Sequence, residues 1–346
     1  MSSGFSASDW AGALWRVVRV IALRGKLIFG TLVKNLRFTH ALDRDWRERY
    51  AQSRLDFYAA DSVYHPSRQW TIISIFYRLV LRGNGLKKFK STFGRFLSTY
   101  EPDNPWIFEA VHHLYYQLLK SVDEWNLLET LEEPDLGDGT YVSYKGRRLS
   151  LDLLQSIDEF YRIREHAKFN RDDRVVFCEI GAGYGRLAHV VLSAMPNAVF
   201  MIFDLPESLL LSEFYLTSLH PNVPASLYPE SLVEVLDPRK PDGSRLVFGL
   251  PHQMKQLAKG SVDVVANIYS FMEMSRDQIE CYFKIIDEMD AGLLYLKQHK
   301  KEVNLFDQSL NQSDNYPFRE DWQHLYTGTC RLFEHVFESV YRVRST

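Results

Sequence analysis

Five short apolar runs in the second half of the chain constrain its fold more than any other feature: Val175–Cys178, Val199–Phe203, Leu246–Phe248, Val262–Ala266 and Leu293–Leu296. Each is too short for a helix and lacks the alternation of a half-solvated strand. Helical stretches fill most of the intervals, as in 187–195. Strands that are apolar on both faces need cover on both, and helices between them supply it, which predicts a parallel, doubly wound α/β sheet. Ligands of such sheets bind at the carboxyl ends of the strands, so the residues closing each run are the ones to inspect.

The first run closes on Glu179-Ile180-Gly181-Ala182-Gly183-Tyr184-Gly185-Arg186. A dinucleotide fingerprint, G-x-G-x-x-G, would put a third glycine where Arg186 stands, which weakens a nicotinamide reading. The pattern E-x-G-x-G-x-G instead resembles the glycine loop of class I S-adenosylmethionine (SAM) methyltransferases. That cofactor has no pyrophosphate, and its ammonium suits an acidic neighbour such as Glu179. The second run closes on Asp204, 19 residues past Gly185. A carboxylate about 20 residues on, at the end of the second strand, accepts from ribose hydroxyls. The expected cofactor contacts are therefore Glu179, Gly181, Ala182, Gly183, Asp204, Leu205 and Asn267.

A wider resemblance follows. The segment Gly146-Arg147-Arg148-Leu149-Ser150-x-Asp152-Leu153-Leu154-x-Ser156-x-x-Glu159, the glycine loop, and Asp204-Leu205-Pro206-Glu207 are similar to a family of sugar O-methyltransferases from bacterial polysaccharide clusters. Ser270-Phe271-Met272-Glu273-Met274 and Tyr316-Pro317 followed by Trp322 extend the match over roughly 140–346. The resemblance implies a Rossmann-like class I methyltransferase sheet, SAM as cofactor, and a sugar hydroxyl as methyl acceptor. That acceptor would belong to a surface glycan or to its lipid-linked or nucleotide-linked precursor. Two alternatives stay open: O-methylation of a non-sugar small molecule, and a non-catalytic SAM-fold module of a glycan assembly complex.

Transfer to a hydroxyl asks the protein to align the two reactants and to take up a proton. Candidate bases follow the strands: Glu273 after the fourth, His299 after the fifth, His252 after the third. Each has a plainer reading. Glu273 also suits the start of the next helix, His299 the basic stretch Lys297–Lys301, and His252 a loop hydrogen bond. Tyr184 and Arg186, at the tip of the tight loop, are further candidates to reach the acceptor. The adjacent pair His112-His113 points about 100° apart on a helix and reads as structural. His324 and His335 read as helix residues. Asp287, Glu288, Asp290 and Asp314 form no convincing metal-ligand cluster, so no metal site is indicated and metal dependence stays open.

The first half reads differently. From Trp10 to Leu42 there is no acid but there are six cations (Arg16, Arg19, Arg24, Lys26, Lys34 and Arg37), with an apolar helical face through Trp10, Leu14, Val17, Ile21 and Ile28. This basic amphipathic segment, 1–42, suits either packing on the fold or lying on an anionic membrane surface. Residues 43–138 read as mainly helical; 70–77 is ambiguous between strand and helix, and Asn104-Pro105 starts a new helix. Leu136-Gly137-Asp138-Gly139 marks the expected boundary with a methyltransferase domain over 139–346. Beyond it, Tyr141–Tyr144 and Arg147–Leu149 read as a hairpin, and Ser150 as the cap of the next helix. With 41 basic against 44 acidic residues and three scattered cysteines, nothing favours nucleic acid or a disulfide framework. No run reaches the roughly 20 apolar residues of a spanning helix, so the expected location is cytoplasmic, with peripheral contact at the inner membrane face.

Overall fold

The five apolar runs all enter strands of one sheet in the computed structural model, which describes residues 44–81, 84–91, 104–229, 245–304 and 309–344. Chain order gives α1 (Arg44–Ala59), α2 (Arg68–Leu81), α3 (Pro105–Leu119), α4 (Leu127–Thr130), then the hairpin β1 (Val142–Tyr144) and β2 (Arg147–Leu149) and the long helix α5 (Leu151–Ala167). The α/β part follows as β3 (Val176–Ile180), α6 (Arg186–Ala194), β4 (Val199–Phe203), α7 (Pro206–Leu219), β5 (Ala225–Ser226), β6 (Leu246–Gly249), β7 (Val264–Ile268), α8 (Arg276–Glu288) and β8 (Leu293–His299). Four more strands close the chain: β9 (Lys301–Asn304), β10 (Ser309–Gln312), β11 (Gln323–Thr329) and β12 (Val336–Arg342).

The large sheet runs β11-β12-β8-β7-β3-β4-β6-β5. Strands β3 to β8 are parallel, while β12 lies antiparallel to β8 and β11 antiparallel to β12. Every residue of β3, β4, β6 and β7 is buried, as runs apolar on both faces require. Phe177 and Phe200 sit opposite each other in the ladder and stack, their ring centroids 5.8 Å apart. The expected α/β sheet with a mainly helical N-terminal region is therefore the observed class among the described residues. Strand β3 has β4 on one side and β7 on the other, so the connections leave it in opposite directions. This switch point opens a crevice at the carboxyl ends.

Local chemistry explains the elements around it. Lys145 and Gly146, both at positive φ, make the two-residue turn of the β1–β2 hairpin. The Ser150 hydroxyl accepts from Leu153 N at 3.0 Å and starts α5; Asn104 caps α3 in the same way. Residues 70–77 are helical, inside α2. His112 is buried, its Nδ1 2.7 Å from Phe108 O, in keeping with a structural role. His324 and His335 are not helical: His324 lies in β11 and His335 immediately precedes β12, an antiparallel addition that the pattern of parallel strands did not announce. The basic segment 1–42 and its membrane contact lie outside the described residues. Among the described helices none is long and apolar enough to cross a membrane.

Helix α1 and the segment leading into α2 are bound to the α/β part by polar contacts. Arg49 Nη1 donates to Glu213 Oε2 at 3.1 Å, Tyr50 OH to Glu207 Oε1 at 2.9 Å, and Gln278 Nε2 to His65 O at 2.7 Å.

Candidate active site

A cavity of about 320 Å³ opens at the switch point, within the size range of small-ligand sites. The glycine loop forms its floor. Gly181 has φ +70°, and a Cβ there would stand 2.1 Å from Ser270 Oγ, so the loop after β3 and the turn after β7 touch only because this residue has no side chain. Gly183, at φ +61°, has nothing within 4 Å of where its Cβ would point, so its Cα borders open space.

Two carboxylates close β3 and β4 beside this loop. Asp204 is buried; its Oδ2 accepts from Gly183 N at 2.8 Å and its Oδ1 from Leu205 N at 2.7 Å. It thereby stitches the loop to β4. Burial pushes its carboxyl up to about 7, against the lowering effect of these two amides. Glu179 is 3% exposed, and its Oε2 is buried without a hydrogen-bond partner. Burial raises it to about 8, even though the Arg186 guanidinium works in the opposite direction. An ionisable oxygen left unsatisfied in a cavity wall is costly unless a ligand completes it.

The loop is held from behind by one face of α5. Tyr184 OH donates to Asp152 Oδ2 at 2.7 Å. Arg186 Nη1 donates to Ser156 Oγ at 2.8 Å and to Glu159 Oε2 at 2.6 Å, and Nη2 to Glu159 Oε1 at 2.8 Å. The fully buried Lys297 adds a bond to Glu159 at 2.8 Å. Tyr184 and Arg186 are thus turned inward to brace the loop, although both still border the cavity. Their expected reach toward an acceptor is not what the geometry shows. Arg186 replaces the fingerprint glycine because its work lies on α5.

The remaining candidates separate. Ala182 and Leu205 line the cavity with the two glycines and the two acids. Asn267 is fully buried beneath the wall: its Nδ2 donates to Ile180 O at 2.9 Å, and its Oδ1 accepts from Phe271 N at 2.9 Å and Gln298 Nε2 at 2.6 Å. It ties the loops after β3 and β7 together. Glu273 sits in the turn Phe271–Glu273 after β7 and lines the cavity; its Oε2 accepts from Trp70 Nε1 at 2.6 Å. Burial raises Glu273 to about 7, and the Trp70 bond opposes that rise. His299, the last residue of β8, also lines the cavity, with Nδ1 2.8 Å from Glu302 Oε2. His252 is outside the lining, with its ring 6.3 Å from that of Tyr64 and its Nδ1 buried without a partner; burial lowers it.

The sequence offered no motif for the opposite wall. Tyr64, His65, Pro66, Ser67 and Trp70, from α2 and the segment before it, cover the crevice, with Gln278 and Tyr282 from α8 beside them. Among the described residues one set of side chains is spaced to hold a metal: Asp158, Cys330 and Glu338. None of the three lines the cavity, and two of them already accept hydrogen bonds. Asp158 accepts from Arg331 Nε at 2.8 Å and Tyr115 OH at 2.8 Å, and Glu338 from Tyr295 OH at 2.9 Å.

No protein-family model and no curated protein matches the chain. Solved structures that it is similar to include magnesium protoporphyrin IX methyltransferase from Synechocystis PCC 6803, with bound S-adenosylhomocysteine (14% identity, 76% of this chain, 97% of that chain, TM-score 0.36). Coclaurine N-methyltransferase is another (14% identity, 69% and 72%, TM-score 0.37). A third is an S-adenosylmethionine-dependent methyltransferase from Clostridium acetobutylicum ATCC 824 (11% identity, 54% and 90%, TM-score 0.34). Likenesses this distant add nothing to what the sheet order and the cavity already show.

Proposed function

We propose that the chain binds S-adenosylmethionine at the switch point and catalyses methyl transfer to a hydroxyl of a sugar acceptor. The observation that carries the reading is the buried Glu179, whose Oε2 has no hydrogen-bond partner, in the wall of a cavity floored by Gly181 and Gly183. A ligand with a positive end and hydroxyls fits this wall. Glu179 would take the ammonium, and Asp204, which lines the cavity at the end of β4, would take ribose hydroxyls. When bound, the cofactor supplies an electrophilic methyl group. The protein's part is to align the acceptor hydroxyl and accept its proton, for which Glu273 and His299 are in the cavity wall. Raised carboxyls near neutral pH suit both a cation site and proton uptake.

The sugar class is supported by the sequence resemblance through 146–159, 270–274 and 316–322, and by Tyr64 and Trp70, whose apolar ring faces suit the CH faces of a sugar. A surface-glycan pathway and a lipid-linked or nucleotide-linked acceptor belong to the same proposal, as does peripheral attachment through residues 1–42.

Calorimetry tests the cofactor: S-adenosylmethionine and S-adenosylhomocysteine should bind and NAD should not. Transfer of labelled methyl is then followed over a panel of free, nucleotide-linked and lipid-linked sugars, with a catechol as the non-sugar control. NAD binding in place of S-adenosylhomocysteine overturns the cofactor. Label in the catechol alone, or only in amines, overturns the acceptor class.

A further inference from the structure

His299 and Glu302 form a pair that no sequence motif indicated, and the inference drawn from it rests on the methyl transfer proposed above. We propose that Glu302 is a positioning residue that fixes the tautomer of His299, so that Nε2 of His299 accepts the proton of the acceptor hydroxyl.

A carboxylate accepts and does not donate. The 2.8 Å contact between His299 Nδ1 and Glu302 Oε2 therefore places the proton of a neutral imidazole on Nδ1 and leaves the lone pair on Nε2. Without such a partner an imidazole in water favours the opposite tautomer, which has no lone pair at Nε2 to give. The ring is also held in plane: Tyr269 and His335 meet it edge-on, with centroids 5.7 and 5.1 Å away.

Glu302 stands on a braced element. It lies in β9, opposite Asn311 of β10, and Asn311 Nδ2 donates to Met272 O at 3.1 Å and Met274 O at 3.2 Å. Those carbonyls flank Glu273, so the hairpin that carries the orienting carboxylate is fastened to the turn that forms the cavity wall. A site held by paired strands keeps its geometry better than one on a free loop.

The charged and titratable groups on the elements around His299 are Glu302 and Lys301 on β9, Lys300 between the strands, His335 before β12 and Tyr269 after β7, and Glu273 also lines the cavity. Burial and the neighbouring His299 both lower His335, so it stays neutral and does not oppose an imidazolium at His299. In the step assigned to the pair, the acceptor's O–H bond breaks and an N–H bond forms at Nε2. The pair left on oxygen makes the bond to the donor's methyl carbon, and the pair of the broken carbon–sulfur bond stays on sulfur.

The test needs no acceptor at first. The full chain is labelled with ¹⁵N-histidine, and long-range ¹H–¹⁵N spectra are recorded, with His299 assigned by its loss in His299→Asn. The wild type should show the Nδ1–H tautomer, and Glu302→Ala should move it toward Nε2–H while S-adenosylhomocysteine still binds. An Nε2–H tautomer in the wild type, or no change in the variant, overturns the assignment. With an acceptor in hand, Glu302→Gln should lower kcat by about 10- to 100-fold, part of the 10²–10⁴ that a positioned base contributes, with KM little changed. Removing the negative charge disfavours the imidazolium, so the acid limb of the kcat profile should also move to lower pH. A limb that stays in place would overturn the base role. If the wild type fails to bind S-adenosylhomocysteine, the proposed function falls while the tautomer result stands on its own.

Discussion

Binding of S-adenosylmethionine should expel protons from the cavity, and the number follows from the walls. Burial raises Glu179 to about 8 and Asp204 and Glu273 to about 7 each. At pH 7 the free protein therefore holds roughly nine-tenths of a proton on Glu179 and about half on each of the others. A ligand with fixed positive charge stabilises the ionised forms. Two unit charges about 4 Å apart attract by about 4 kcal/mol at an effective dielectric of about 20. Ionising a group of pKa about 8 at pH 7 costs only about 1.4 kcal/mol. Attraction wins, and Glu179 at least should lose its proton.

The assay is calorimetry at pH 7 in buffers of different ionisation enthalpy, where the slope of observed against buffer enthalpy counts protons. We expect a release of about 1 proton, rising toward about 2 if Asp204 and Glu273 follow. Affinity should then strengthen by up to tenfold per pH unit for each proton released, and level off above about pH 8. Glu179→Gln should bind more weakly and release about 0.9 proton fewer. A zero slope, or proton uptake on binding, would refute the assignment of the cavity as a cation site.

Two further outcomes follow from the same residues. The Glu179 carboxyl ionises in the unfolded chain near its ordinary value of 4.5 but in the folded protein only at about 8, so between these pH values the unfolded state binds fewer protons. Its contribution makes the ligand-free fold lose stability as pH rises through that window; Glu179→Gln should therefore melt higher than wild type at pH 8 and show little gain at pH 5, and equal melting curves at pH 8 would contradict the burial argument. Gly181→Ala should cost about 1–2 kcal/mol for its left-handed backbone and a further 1–3 kcal/mol for the contact with Ser270. Adding Ser270→Gly should recover the second part and not the first, as read from urea denaturation of both variants.

The α/β sheet was legible because strands buried on both faces leave continuous apolar runs, and the switch-point cavity because tight turns demand glycine. Glu179 and Asp204 were found for the same reason: they close such runs at a fixed spacing. The supporting residues were not found, because their partners are far away in the chain. Arg186 looked like a misfit in a fingerprint until Glu159, 27 positions earlier, came to face it. Asp152, Ser156 and Glu159 fall on one face of α5 at helical spacing, a signal that was on the page but named no partner. The antiparallel strands β11 and β12 bear charged and polar residues that blurred their period, which is why His324 and His335 read as helical. The cover formed by residues 64–70 follows no motif at all; only packing shows it.

That cover is electrically part of the end proposed to hold the cofactor. Glu207 lies in the first turn of α7, three residues past Asp204, and is 3% exposed. Its negative charge is one of the causes that raise Asp204. Its partners all come from the N-terminal helices: Tyr50 OH at 2.9 Å, Arg54 Nε at 3.6 Å and Arg78 Nε at 3.6 Å. Without them a buried carboxylate would stand beside Asp204 with no cation to offset it, and removing the partner of a buried charge costs several kcal/mol. The cations of α1 and α2 therefore do more than fasten two helices to the sheet. They offset the charge of Glu207 at the helix N-terminus, and so limit how far that charge raises Asp204. The helices that cover the crevice and the carboxylate proposed to hold the ribose are set by one network of charges. A change in the N-terminal helices should therefore be felt in cofactor affinity before it is felt in the sheet.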